Sequence, residues 1–281
     1  MTNCANPESQ PRPGRIITLT TDFGLRDSYV AAMKGVILSI CHDANLVDLT
    51  HEIPSHDVFE GAVFLRDCAH LYPPGTVHLA VVDPGVGGTR GGICIKSRHY
   101  TFVGPDNGLL SLAANDDGVI EARSIENEDF LRNPASDTFH GRDIFAPVAA
   151  HALLGVPIER FGPEVTRFET LTPSEPECVS ASMVQGEIVR IDRFGNLVTN
   201  IAREHLGQLG RSTVDADLSV EIEGRSINGI HTCYEDEPPG TLLALWGSSG
   251  ALEVSINQGD AATTLGAQRH TVVRVSAGRQ V

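Results

Sequence analysis

The order of hydrophobic patterns along the chain limits its fold more than any other feature. From Ile16 to about Phe161, short β-branched runs alternate with segments of helical period; beyond about residue 180, strand-like runs and turns alone remain. Strands that alternate with helices are joined by crossovers, the connection parallel strands need. The first part therefore predicts an α/β domain with a largely parallel sheet between helices. Successive hairpins predict a small all-β barrel or sandwich for the rest.

Ile16–Thr21 (IITLTT), Asn45–Thr50 (NLVDLT) and Val77–Val82 (VHLAVV) read as strands, and Ile93–Val103 as a hairpin. Ser28–Ile40, Asp57–Leu71 and Asp143–Leu154 read as helices, the first with Asp27 or Ser28 placed to cap it. The segment RFETLTPSEPECV has two prolines, three glutamates and little periodicity, the marks of a linker. The expected organisation is a disordered tail over 1–14, an α/β domain over 15–166, a linker over 167–180 and a β domain over 181–281.

A formal net charge of −15 argues against nucleic acid as a partner, because an acidic surface repels phosphates. It tolerates a cationic small molecule. The six cysteines (Cys4, Cys41, Cys68, Cys94, Cys178, Cys233) form no CxxC pair, which points to a reduced compartment and to neither a disulfide frame nor a zinc site. The opening MTNCANPESQPRPG has no apolar stretch, and no run approaches the ~18 apolar residues that span a bilayer. The expected location is the cytoplasm, with no membrane association.

In open α/β sheets, ligands bind beyond the carboxyl ends of strands. Asp22 and Asp83 lie there, each before a glycine-containing turn. A carboxylate so placed can grip two ribose hydroxyls or cap a turn, and position alone leaves both readings open. The turn after Asp83 is no dinucleotide fingerprint, since Arg90 stands where its third glycine belongs. Asp22-Phe23-Gly24 spells a kinase metal motif, but nothing upstream supplies a kinase's other parts. Arg90 can fold back onto Asp83; spacing alone favours a structural ion pair over catalysis. His140 precedes a predicted helix and suits proton chemistry near neutral pH, or caps the helix start. The histidines show no metal-ligand spacing, so no metal is expected. In the β half, Asp192, Phe194 and Asn196 form a turn that offers polar groups and an aromatic face, or serves only as a hairpin. The Trp246–Gly250 turn is equally open.

Together these segments resemble the S-adenosylmethionine (SAM) hydrolase family, also called SAM hydroxide adenosyltransferases, which shares its fold with SAM-dependent fluorinase and chlorinase. The resemblance runs in order from about Ile16 to Val275. It rests on Thr20–Gly24, Asp27–Val30, Met33–Gly35, Val47–His51, Glu60–Ala62, Pro74–His78, Val82–Gly87, Gly104–Gly108, Thr138–Asp143 and Asp192–Leu197. Each motif is weak alone; the ordered set is specific.

The resemblance implies hydrolysis of SAM to adenosine and methionine at C5′, with SAM as substrate and no cofactor. It implies a homotrimer with sites at subunit interfaces. It places the catalytic set on Asp83, Arg90 and His140 and ribose binding on Asp22. Methionine contacts fall on Asp192 and Asn196, with Phe194 beside the ligand, and adenine contacts approximately on Ser248, Ser249 and Asn257. His56 stands where the halogenases carry tryptophan. The alternatives are a halogenase making 5′-halo-5′-deoxyadenosine and a non-catalytic SAM or adenosine sensor.

Overall fold

The computed structural model describes residues 14–207, 209 and 215–277, so most of the expected tail lies outside the described residues. The chain divides into two compact units, 1–171 and 172–281.

The first unit is built on a six-stranded sheet of order β2-β1-β3-β5-β4-β6. Its strands are β1 (Ile16–Thr21), β2 (Asn45–Thr50), β3 (Val77–Val81), β4 (Gly92–Ser97), β5 (Thr101–Pro105) and β6 (Val119–Ser124). The β2-β1-β3-β5 pairs are parallel, whereas β4 pairs antiparallel with β5 and β6. β3 is buried along its whole length, as a strand covered on both faces must be. Its alternate residues serve two cores. Val77, Leu79 and Val81 pack with Met33 and Ile37 of α1 (Tyr29–Ile40) and Val148 and Ala149 of α4 (Ala146–Leu153). Ala80 and the following Val82 pack with Leu65 of α2 (Val58–Ala69) and Ala113 of α3 (Ser111–Asp117). The helices thus lie on both faces of a mostly parallel sheet, as the pattern of elements predicts.

The molecule departs from the sequence pattern at four points. The segment Ser111–Ser124 holds a helix and an edge strand that the sequence pattern did not reveal. The helix expected over Asp143–Leu154 is entered through a π-helical turn at Gly141–Phe145. The expected linker contains a strand, β7 (Glu177–Ser180). Ser28 occupies the N-cap of α1 without a side-chain capping bond.

The second unit is an antiparallel, nearly closed barrel of order β11-β10-β14-β8-β9-β13-β12, with β7 also paired to β8. Its strands are β8 (Met183–Ile191), β9 (Leu197–Ala202), β10 (Leu218–Ile222), β11 (Arg225–Asn228), β12 (Leu242–Trp246), β13 (Ala251–Ile256) and β14 (Val272–Ala277). Two short helices, α5 (Arg203–Leu206) and α6 (Ala261–Leu265), fill its connections. His231, just past β11, donates its N–H to Ala244 O of β12 at 2.7 Å and draws the two ends of the sheet together. Val184, Ile188, Val220, Val254, Val273 and Val275 fill the interior. Among the described residues no helix is long and apolar enough to cross a membrane.

Candidate active site

β1 and β3 are adjacent and parallel, with Thr21 paired to Val81. Asp22 and Asp83 therefore leave neighbouring strands at the carboxyl edge of the sheet. Asp22 Oδ2 accepts the His56 N–H at 2.9 Å. His56 takes a left-handed backbone (φ 69°), so its contact with Asp22 is through the main chain while the residue is exposed. Beneath this loop lies a buried relay that spacing did not suggest. Gly24 N–H donates to His51 O at 2.7 Å, and His51 Nδ1 lies 2.8 Å from Thr21 Oγ1. Thr21 Oγ1 accepts the Phe23 N–H at 3.2 Å. Asp48 Oδ1 is 3.0 Å from His51 Nε2, a close approach with the ring N–H off line rather than an aligned hydrogen bond. Burial pushes the Asp48 carboxyl up, but the hydrogen bond from Lys34 (2.6 Å) and the nearby His51 ring outweigh it and hold it below the usual range.

Asp83, Arg90 and His140 converge. Arg90 Nε donates to Asp83 Oδ1 at 2.8 Å, and Arg90 Nη2 donates to Asp83 Oδ2. The same Nη2 lies 2.7 Å from His140 Nδ1. The pair is well buried, with side-chain exposures of 12% for Arg90 and 5% for Asp83. The guanidinium carbon sits 5.2 Å from the centroid of Phe145, on the π turn. The glycine turn that folds Arg90 back is tightly fitted: Gly87 has φ 75°, and a Cβ there would lie 2.3 Å from Asp137 O. The imidazole is not spent on capping, since His140 makes no side-chain bond to the helix start.

This geometry fixes a protonation state. A guanidinium carries only donors, so His140 Nδ1 must accept. The imidazole is then neutral, with its proton on Nε2. Burial, and then the Arg90 charge, push the His140 pKa below its ordinary value, despite the opposing charge of Asp83. Asp83 and His140 line a cleft of about 130 Å³ with Phe23, Tyr29, Val86 and Phe139. Tyr29 and Phe139 meet edge to face at 5.0 Å.

In the barrel unit, Asp192 is engaged by its own turn. Its Oδ1 accepts N–H bonds from Phe194 (2.8 Å) and Asn196 (2.9 Å), and its Oδ2 accepts from Asn196 Nδ2 (2.9 Å). Phe194 projects outward, 74% exposed. Asn257 is buried and donates from Nδ2 to Glu237 O at 2.7 Å. β9 pairs with β13 so that Leu197 faces Val254 and Ala202 faces Ala251. The Asp192–Asn196 turn therefore lies toward the Asn257 end of β13. Ser248 and Ser249 are exposed in the turn at its other end, about 17 Å away along the six-residue strand. One ligand reaches both ends only if it lies along the strand. Among the described residues no group of three or more His, Cys, Asp or Glu is placed to hold a metal ion.

A family model for the SAM hydroxide adenosyltransferase N-terminal domain matches residues 17–162, and one for the C-terminal domain matches 186–274. The chain belongs to the SAM hydroxide adenosyltransferase family. A relative from Salinispora tropica named (R)-S-adenosyl-L-methionine hydrolase is 40% identical, over 93% of this chain and 98% of its own length. One of the same name from Thermus thermophilus is 37% identical, over 93% and 99%. A fluorinase from Nocardia brasiliensis is 31% identical over 74% of this chain and 80% of its own. A crystal structure of an uncharacterized conserved protein from Thermotoga maritima superposes with a TM-score of 0.85 at 36% identity, covering 92% of this chain and 99% of that one. Within the hydroxide adenosyltransferase frame, Asp22, Asp83, Arg90 and His140 all fall in the N-terminal family domain. The six candidate residues of the barrel fall in the C-terminal one.

Proposed function

We propose that this protein hydrolyses SAM to adenosine and methionine, and that Asp83, Arg90 and His140 direct one water at C5′. The observation that carries this reading is the double contact of Arg90, which holds Asp83 and His140 at one cleft although 50 residues separate it from the histidine. The relatives named for the (R) epimer at sulfur favour that epimer as substrate here too.

The sulfonium makes methionine a neutral leaving group, so no acid is needed at sulfur. The nucleophile sets the barrier, since water is weak until oriented or deprotonated. His140, protonated on Nε2, donates to the water oxygen and turns a lone pair toward carbon. Asp83 accepts a water hydrogen, and Arg90 holds its carboxylate in place through two hydrogen bonds. The C5′–O bond forms as the C5′–S bond breaks. The electron pair goes to sulfur, the proton that Asp83 accepts passes to solvent, and the other stays on the new 5′-hydroxyl. Alignment supplies a large share of the rate, up to roughly 7–11 kcal/mol of barrier. Asp22 takes the ribose hydroxyls, Asp192 and Asn196 the methionine portion with Phe194 beside it, and Asn257 the adenine, whereas Ser248 and Ser249, at the opposite end of β13, reach the same ligand only where it extends along the strand.

A cleft of about 130 Å³ is small beside the roughly 300–1,000 Å³ of small-molecule sites. This supports a homotrimer in which the barrel of a neighbouring subunit completes each site. Cys41, Cys94, Cys178 and Cys233 form no disulfide among the described residues, which supports a cytoplasmic location. SAM is the substrate, and the reading calls for no cofactor.

The halogenase reading fits less well, because a halide site needs neutral donors and Asp83 would repel an anion there. Product analysis of SAM incubated with chloride or fluoride tests the proposal. Adenosine and methionine are expected; a 5′-halo-5′-deoxyadenosine would overturn it. No adenosine at all would favour a sensor.

A further inference from the structure

Glu253 in β13 is a carboxylate in an unusual place. It is 7% exposed, and it forms no ion pair among the described residues. Its Oε1 accepts the Tyr234 hydroxyl at 2.6 Å and the Ser255 hydroxyl at 2.8 Å. Its Oε2 accepts nothing among the described residues, yet it is not sealed from solvent. That oxygen faces the turn after β12: a Cβ on Gly247 would stand 3.0 Å from it. The glycine leaves room for a carboxylate beside the turn that carries Ser248 and Ser249.

A carboxylate buried with hydroxyls but no cation is costly, because hydroxyls satisfy hydrogen bonds without neutralising charge. A second anion adds to the imbalance. Burial and the Glu253 hydrogen bond drive the Tyr234 phenol well above its ordinary range, and Asp192 pushes the same way. Asp192 is thus close enough to act on the hydroxyl that Glu253 holds. The free lone pairs of Oε2 lack a partner that brings both an N–H and a positive charge. A sulfonium has the charge without a hydrogen to donate; a primary ammonium has both.

We propose that Glu253 is a specificity-determining residue that binds the α-ammonium group of the substrate through Oε2. Tyr234 and Ser255 hold its carboxylate in position. The inference rests on the SAM hydrolase reading and adds to it a recognition group in the barrel.

Glu253→Gln keeps the side-chain volume and an acceptor for both hydroxyls, and removes only the charge. KM should be measured for SAM and for its deamino analogue, in which hydrogen replaces the ammonium, alongside inhibition by adenosine. A charged hydrogen bond of this kind predicts a KM for SAM roughly tenfold higher or more in the variant, with the loss in KM rather than in kcat. KM for the deamino analogue and inhibition by adenosine should stay within twofold. Glu253→Asp, which keeps the charge, should recover part of the loss. The wild-type protein alone also tests the idea, since it should prefer SAM to the deamino analogue by about the same factor. Equal KM values for the two compounds in the wild type, or an unchanged KM for SAM in Glu253→Gln, would overturn the inference and leave the hydrolase reading intact. A wild-type protein that releases no adenosine would sink both.

Discussion

Arg90 Nη2 stands 2.7 Å from His140 Nδ1, and since a guanidinium can only donate, this contact sets the imidazole proton on Nε2. His140 therefore serves the nucleophile as a donor, and proton acceptance falls to Asp83. Removing the donor should cost what other preorganised donors cost, roughly 10²–10³ in kcat. His140→Ala is expected to lose that much with KM little changed. His140→Gln, which retains an N–H, should lose less. Steady-state kinetics of both variants checks the order, and equal loss in the two would argue against a donor role.

The pH profile follows from the same contact. Burial and the Arg90 charge hold His140 below its ordinary pKa of about 6.5, so the neutral form persists below that pH. On acidification the proton goes to Nδ1, against Arg90, and the arrangement breaks. Activity should be flat on the acid side down to about pH 6.5 and fall only below it, through an acid limb that reports His140. Arg90→Ala removes one of the two depressing causes, so its residual activity should show that limb moved up toward 6.5. A wild-type acid limb above 6.5 would contradict the geometry.

The glycine turn gives a backbone test. Gly87→Ala meets both a left-handed φ and a Cβ placed 2.3 Å from Asp137 O. Such strain is of order 1–3 kcal/mol, and relief would shift the turn between Asp83 and Arg90. We expect a lower melting temperature and a lower kcat. Gly75→Ala, with similar φ but nothing within 4 Å of the added Cβ, should lose some stability and keep its activity.

His78 gives a prediction about stability alone. It is fully buried on β3, with Nδ1 2.7 Å from Thr18 Oγ1, and burial lowers its pKa to about 4. Between about pH 6.5 and 4 the unfolded chain binds a proton that the folded one refuses, so folding stability should fall as pH drops through that window. The integrated loss is on the order of 3 kcal/mol. Denaturant titrations at stepped pH should show this slope, and His78→Phe should flatten it.

Much of this architecture can be read from residue patterns, and the exceptions have physical causes. β1 and β2 keep their expected bounds because β-branched or alternating apolar runs end at sharp turns. β7 escapes because all four of its residues are exposed and only pairing with β8 makes it a strand. α3 escapes because SLAANDD buries small residues and gives no strong period. Asp83 and Arg90 sit within reach along the chain, but His140 joins them only through the packing of α4 and its π turn on the sheet. The Thr21–His51–Asp48 relay and the buried charge of Glu253 have no signature in spacing, since each depends on neighbours brought in by strand register. Asp192 was visible as a turn residue, but not that its own turn would occupy both of its oxygens.

The most direct test of the central claim is the fate of oxygen during turnover in ¹⁸O-labelled water. Label is expected in the 5′-hydroxyl of the released adenosine and none in methionine. Unlabelled adenosine, or label carried only by a homoserine-type product, would mean that solvent is not aimed at C5′ and would contradict that claim.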